Sequence, residues 1–305
     1  MENLRDIRIR MRAIEQTLKV TKAMKLISTA KLRKGRRMLE NTEPYFKRVQ
    51  KTMFDILSDV GDFKSEFLRN CDPLPATLRD VSHSPRTAVI VITSDKGLAG
   101  GYNMNIFRRV TDLCTKVTSP VLILIGSVGY RYFIHSPHII LENFSFHSMI
   151  PTVEHAEEIA DYIISQYLWD VFDEIHIVYT HMFSSVKMLA TEHQILPLVK
   201  ERLQKDLLEI ENKKRREDLH FEFLPSVETV FNALVPQYVK GVIYGAMVEA
   251  YACEQCARMA AMDEASKNAE EMIYNLRISY NRARQAGITQ ELSEIISGSS
   301  ALTDE

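Results

Sequence analysis

Apolar residues recur at helical spacing over both ends of the chain and form short unbroken runs between them. Over residues 1–57, Leu4, Ile7, Met11, Ile14 and Leu18 keep a three-four spacing that places them on one face of a helix. The stripe then shifts to Val20, Met24 and Ile27. Pro44, after Asn41-Thr42-Glu43, predicts a break and restart with proline near a first-turn position. At the other end, 237–297 contains no proline, and only Gly241, Gly245 and Gly287 interrupt a run of good helix formers. Ala246, Ala250, Ala257, Ala261, Ala265 and Ala269 follow one another at steps of four or seven, a small-residue seam along one face. Glu254 with Arg258, and Asp263 with Lys267, have the i,i+4 order that supports a helix. About sixty residues at 1.5 Å rise make a rod of roughly 90 Å. A helix of that length needs a partner to lie against.

The middle of the chain has a different period. Residues 58–86 read as a linker, with Gly61, Pro73, Pro75 and Pro85 among Ser and Asp. From 87 onward strands and helices alternate. The apolar runs 88–93 and 121–125 read as buried strands, each followed by a helix, over 105–116 and near 127–134. A strand is expected around 139–146 and an amphipathic helix over 154–169, with Ile159, Ile163 and Tyr167 on one side. Strands follow at 174–180, 186–196 and 220–224, the last after a charged stretch, 200–218, that reads as a solvated helix or loop. A short helix over 227–234 leads into the long one.

The expected fold class is therefore α/β, a long antiparallel coiled coil of N- and C-terminal helices plus a central Rossmann-like α/β domain. The expected divisions are 1–57 for the first long helix, 58–86 for the linker, 87–224 for the α/β domain and 225–305 for the second long helix. Alanine along the C-terminal seam allows the two axes to approach closely.

Composition narrows the function classes. The 305 residues carry a net charge of −2, so the whole molecule has no bias toward nucleic acid or membrane. Residues 1–51 nevertheless hold 15 Lys/Arg and 5 Asp/Glu, which keeps a basic nucleic-acid-binding coiled coil open as an alternative. No aromatic residue interleaves before Tyr45, so stacking on bases has no support. Four cysteines do not make a disulfide framework and suggest a reducing compartment. Cys253 and Cys256 form a CxxC, but Cys71 and Cys114 stand alone, and a structural zinc site needs four ligands. Two small residues packed in a helix seam explain the pair. The charged N-terminus has no signal-peptide character, and apolar runs such as 121–125 are too short to span a bilayer.

Candidate catalytic chemistry is sparse. The loop "SDKGLAGGYN" joins a strand to a helix, where phosphate-binding loops sit in α/β folds, and it keeps a nucleotide-binding α/β enzyme as a second alternative. Its spacing fits neither GxxxxGK[ST] nor GxGxxG. A tight turn explains it better, with Gly100 and Gly101 taking angles that side chains forbid. The nine histidines form no HExxH, and His181 and His193 flank a strand pair. No GxSxG or cysteine beside a base is present. No catalytic residue, cofactor or metal is expected.

Three stretches carry a resemblance. "EQCARMAAMDEASKNAEEMI" (254–273) with "SYNRARQAGITQELSEIISGSSAL" (279–302), "IRIRMRAIEQTLKVTKAMKLISTAKLRK" (7–34) and "ITSDKGLAGGYN" (92–103) resemble the signatures of the γ subunits of F-type ATP synthases, in that family's order. Between 104 and 220 the likeness is loose. The resemblance implies a non-catalytic central rotor shaft that couples ion-driven rotation of the membrane c ring to ATP synthesis or hydrolysis at the β-subunit sites. It implies three α and three β subunits around the coiled coil, with the ε subunit and c ring at the globular domain, no nucleic acid, and membrane contact only through these partners. Residue by residue, it implies contacts with the α/β ring at Met24, Lys25, Arg258, Arg284, Gln285 and Thr289. It implies an apolar bearing at Ile288, Leu292, Ile295 and Ile296. The regulatory insertion with a cysteine pair found in the chloroplast form is not visible. No transit peptide precedes the first signature, so a bacterial complex, with this subunit on the cytoplasmic side of the cell membrane, is expected.

Overall fold

In a computed structural model, residues 4–59, 63, 65–68, 86–141, 150–184, 187–199 and 223–303 are described, with only the backbone at 58–59, 294 and 296–303. The element order is α1 (Leu4–Asp59), β1 (Thr87–Ile92), α2 (Tyr102–Cys114), β2 (Pro120–Ile125), α3 (Ser127–Phe133), β3 (Ile139–Ile140), α4 (Val153–Leu168), β4 (Glu174–Met182), β5 (Met188–Leu196) and α5 (Val227–Thr303). Contacts divide the chain into one unit of 1–30 with 258–305 and a second of 31–257.

The second unit is built on a sheet of order β3-β2-β1-β4-β5, parallel except for the antiparallel edge strand β5. Its apolar runs are buried on both faces, which is why they read as continuous rather than alternating. Period two still assigns the faces. Ala88, Ile90 and Ile92 share a core with Ile159 and Ile163 of α4, Met53 and Ile56 of α1, and Phe231 and Val239 of α5. Val89 and Val91 face a second core with Ile106 and Val110 of α2, Phe133 of α3 and Cys253 of α5. Each fully buried isoleucine contributes roughly 1.5–3 kcal/mol relative to exposure. Phe46 of α1 packs beside Tyr244, and a Cβ on Gly241 would lie 2.1 Å from the Phe46 ring, so glycine permits this approach of the two helices.

Several expectations are corrected. α1 runs through Pro44 without a break, and α5 is one helix through Pro236 rather than a short helix followed by a long one. Burial of Val49 and Met53 on α1, and of Phe231, Val235 and Val239 on α5, offsets the hydrogen bond that each proline removes. β3 is two residues long, and 142–149 lie outside the described residues. Phe223 and Leu224 are not in a strand, while 200–222, most of the expected linker 58–86, and Cys71 also lie outside the description.

In the strand-to-helix loop, the left-handed residues are Leu98 (φ 64°) and Gly100 (φ 55°), whereas Gly101 has an ordinary φ of −80°. The Ser94 amide donates to Asn103 Oδ1 (3.1 Å) and the Ser94 hydroxyl to the Lys96 carbonyl (2.9 Å). Asp95 Oδ1 accepts from the Ser127 amide at 3.1 Å. Side chains rather than a second glycine hold the turn.

Candidate subunit-contact surface

The first unit pairs α1 and α5 antiparallel, since the partner's number falls in α5 as it rises in α1. Arg8 donates to the Tyr280 hydroxyl at 2.7 Å and lies over its ring, and Lys22 meets Glu270 at 2.7 Å. The Ser266 hydroxyl bonds that of Thr21 at 2.8 Å, and Lys25 Nζ meets Asp263 Oδ1 at 2.5 Å. The seam in α1 keeps the heptad phase of Ile7. Thr21 and Ser28 are buried, while Val20 and Ile27 are 57% and 56% exposed. The expected shift of the stripe to Val20, Met24 and Ile27 is therefore corrected: polar residues continue the seam, and two of those apolar ones face outward.

The α5 seam in this unit runs through Met262, Ser266, Ala269 and Ile273, with Ala261 and Ala265 half-buried on its flanks. Ala269 thus lies in the contact, while Ala261 and Ala265 form its edge. Met262 also accepts, through its carbonyl, a hydrogen bond from Ser266 Oγ (2.7 Å), so that hydroxyl has two acceptors within reach. A buried hydroxyl with a partner avoids the cost of a lost hydrogen bond.

Each residue named from the sequence has a definite place. Met24 and Lys25 are half-buried on α1. Lys25 shares Asp263 with Lys267, whose Nζ lies 2.9 Å from Oδ2. Hydrogen bonds from Lys25 and then Lys267 hold the Asp263 carboxyl well below its ordinary value, to about 2. Arg258 is buried in α5, with 7% of its surface exposed. Arg284, Gln285 and Thr289 are exposed, and the Thr289 hydroxyl is turned onto its own helix, donating to the Gln285 carbonyl at 2.9 Å. Ile288, Leu292 and Ile295 are 50%, 54% and 68% exposed and form an apolar stripe on α5. Ile296 lies where only backbone is described.

Sequence reading missed the cross-helix role of Asp263 and the Thr21–Ser266 pair. Both were findable by holding the heptad phase of Ile7 through polar residues. The surface is suited to mechanical contact, being a paired-helix body with exposed cations, amides and aliphatic groups. Among the described residues no group of His, Cys, Asp and Glu is placed to hold a metal ion. Cys253 and Cys256 are buried, and burial, then the nearby Glu249, raises the Cys253 thiol far above its usual range. Among the described residues no helix is long and apolar enough to cross a membrane.

Comparisons with known proteins cover the whole chain. The family model described as ATP synthase matches residues 3–302. The ATP synthase gamma chain of Acetivibrio thermocellus is 40% identical over 302 residues, 99% of this chain and 100% of that one. The sodium-ion-specific ATP synthase gamma chain of Acetobacterium woodii is 35% identical over 310 residues, 99% of each. Among solved structures, a chain of the Euglena gracilis mitochondrial ATP synthase assembly of OSCP, F1 and c-ring has a TM-score of 0.61 at 19% identity, covering 98% of this chain and 94% of that one. A chain of the central stalk/c-ring of the Tetrahymena thermophila mitochondrial enzyme has a TM-score of 0.56 at 24% identity, covering 81% of this chain and 99% of that one. These two likenesses show the fold.

Proposed function

The chain belongs to the ATP synthase γ-chain family, and from that premise we propose that it is the central rotor shaft of an F-type ATP synthase. It is a non-catalytic subunit that couples rotation of the membrane c ring, driven by ion flow, to ATP synthesis or hydrolysis at the β-subunit sites. It also takes part in regulating ATPase activity and ion flow. The observation that carries this reading is the family match over residues 3–302, which includes both terminal helices and the domain between them. The relatives lend no support to a nucleic-acid-binding protein or a nucleotide-binding enzyme.

The partners are three α and three β subunits around the paired helices, with the ε subunit and the c ring at the α/β domain. Association with the membrane is through these partners, on the cytoplasmic side of the bacterial cell membrane. The division into 1–57, 58–86, 87–224 and 225–305 assigns shaft, linker, coupling domain and shaft. A rotor shifts a nucleotide site only by contacting its conformations differently. Met24, Lys25, Arg258, Arg284, Gln285 and Thr289 supply those contacts in this reading. Ile288, Leu292, Ile295 and Ile296 form the bearing. Apolar burial is non-directional and so does not lock one angle of rotation.

The test is affinity retrieval of the tagged chain from its host in mild detergent. Retrieval of α, β, ε and c subunits, with one copy of this chain per three α and three β, is expected. Retrieval alone or with nucleic acid would overturn the proposal.

A further inference from the structure

In doubly wound sheets, ligands bind outside the carboxyl ends of the strands where the strand order reverses. Here that switch point lies between β1 and β4, since the chain leaves β1 toward β2 and β3 and returns to β4 on the other side. The crevice there is taken by one stretch of α5. Glu249 Oε1 accepts the Met182 amide at the end of β4 at 2.9 Å. It also lies 2.8 Å from His181 Nδ1, a charge contact when the ring is protonated and not an aligned hydrogen bond. The Tyr102 hydroxyl, at the start of α2, donates to the Ala250 carbonyl at 3.2 Å. Beside it, at the ends of β1 and β2, a space of about 10 Å³ remains among Ile92, Thr93, Tyr102, Ile125, Met247 and Glu254. That volume takes no ligand larger than a water.

We propose that α5 is the resident occupant of this crevice, and that Glu249 is the positioning residue that keys it there. The inference rests on the rotor reading and goes beyond it, by identifying where torque applied to the sheet passes to α5. Apolar packing sets the angle about the helix axis only through shape, because the attraction itself is non-directional. Hydrogen bonds are directional, and these bind α5 to the end of a central strand and to the first turn of α2. The half-buried Glu249 carboxylate takes the peptide N–H of the last residue of β4. An ordered tie of this kind holds the helix at one azimuth while it is loaded.

The experiment has two arms, with Glu249→Ala, Glu249→Gln and Tyr102→Phe. In the isolated full chain, hydrogen exchange of the Met182 amide should quicken at least tenfold in Glu249→Ala. It should stay near wild type in Glu249→Gln, whose amide oxygen accepts the same N–H. In the reconstituted complex, Glu249→Ala should keep ATP hydrolysis while ion uptake per ATP falls at least threefold, and Glu249→Gln should restore it. Unchanged Met182 exchange in Glu249→Ala, unchanged coupling, or equal loss of coupling in the alanine and glutamine variants would overturn the proposal. If Glu249→Ala does not assemble, Tyr102→Phe carries the test, since it removes the hydroxyl that bonds the Ala250 carbonyl and ties the same stretch of α5 to α2. Reduced coupling then supports the key and unchanged coupling overturns it. Failure of the rotor reading shows separately, as failure of the wild-type chain to enter the complex at all.

Discussion

Asp263 is the residue at which the two long helices are most tightly joined by charge, with Lys25 across the pair and Lys267 one turn on. These groups are partly exposed, so salt and water screen them and each pair contributes little alone. The carboxyl titrates near 2 in the folded chain, below its ordinary value of 3.8. A depressed carboxyl contributes stability that is complete above the unfolded value and drains away as pH falls through the folded one. The melting temperature of wild type should therefore exceed that of Asp263→Asn by a constant amount above about pH 5, and the gap should close between about pH 4 and 2. A gap that persists unchanged at pH 2 would show that the effect is packing and not charge. The cysteines give a second prediction at this scale. Burial pushes the Cys114 thiol up to about 11, and Cys253 is fully buried. Thiolate is the reactive form, so Cys114 and Cys253 should resist a thiol reagent at pH 8 in the native chain and react once it is unfolded. Rapid native labelling of either, located by peptide mapping, would contradict the burial.

At the scale of elements, legibility followed the kind of signal. β1 and β2 were readable because strands buried on both faces leave unbroken apolar runs. The seam of α1 was readable from Leu4 to Leu18 and then misread. Thr21, Lys25 and Ser28 hold the inward positions while Val20 and Ile27, one residue earlier, are apolar and face outward. Hydrophobicity alone follows the wrong set there, and only the cross-helix partners at Ser266 and Asp263 decide it. Of the contact residues, the exposed ones came from the family signatures and not from periodicity, because a surface that awaits a partner leaves no folding signal of its own. Pro44 was misread for a related reason: local propensity predicted a break, and tertiary packing overrode it. Its ring leaves the Glu40 carbonyl without the usual helical donor. Pro44→Ala should accordingly raise stability by about 1–3 kcal/mol in denaturant titration. A loss of stability would mean that proline's restriction of the unfolded chain outweighs the missing bond.

Across the whole molecule, residues that hold the rotor together are distinct from those proposed to meet its partners. Gln285 is exposed, and in the proposed reading it belongs to the second group. Gln285→Ala should leave the unfolding free energy of the chain within about 0.5 kcal/mol of wild type. ATP synthesis by the complex should fall by about tenfold, the rate change that ~1.4 kcal/mol produces. Equal loss of stability and synthesis would move Gln285 into the structural group.

The central claim is that this chain turns relative to the subunits that carry the catalytic sites. The direct measurement fixes the complex to a surface through its β subunits, attaches a bead to this chain at the exposed turn around Lys116, and supplies ATP. Continuous rotation in one direction is expected, with three equivalent pauses per revolution, one for each β subunit. A bead that stays still while the same complexes hydrolyse ATP would contradict it.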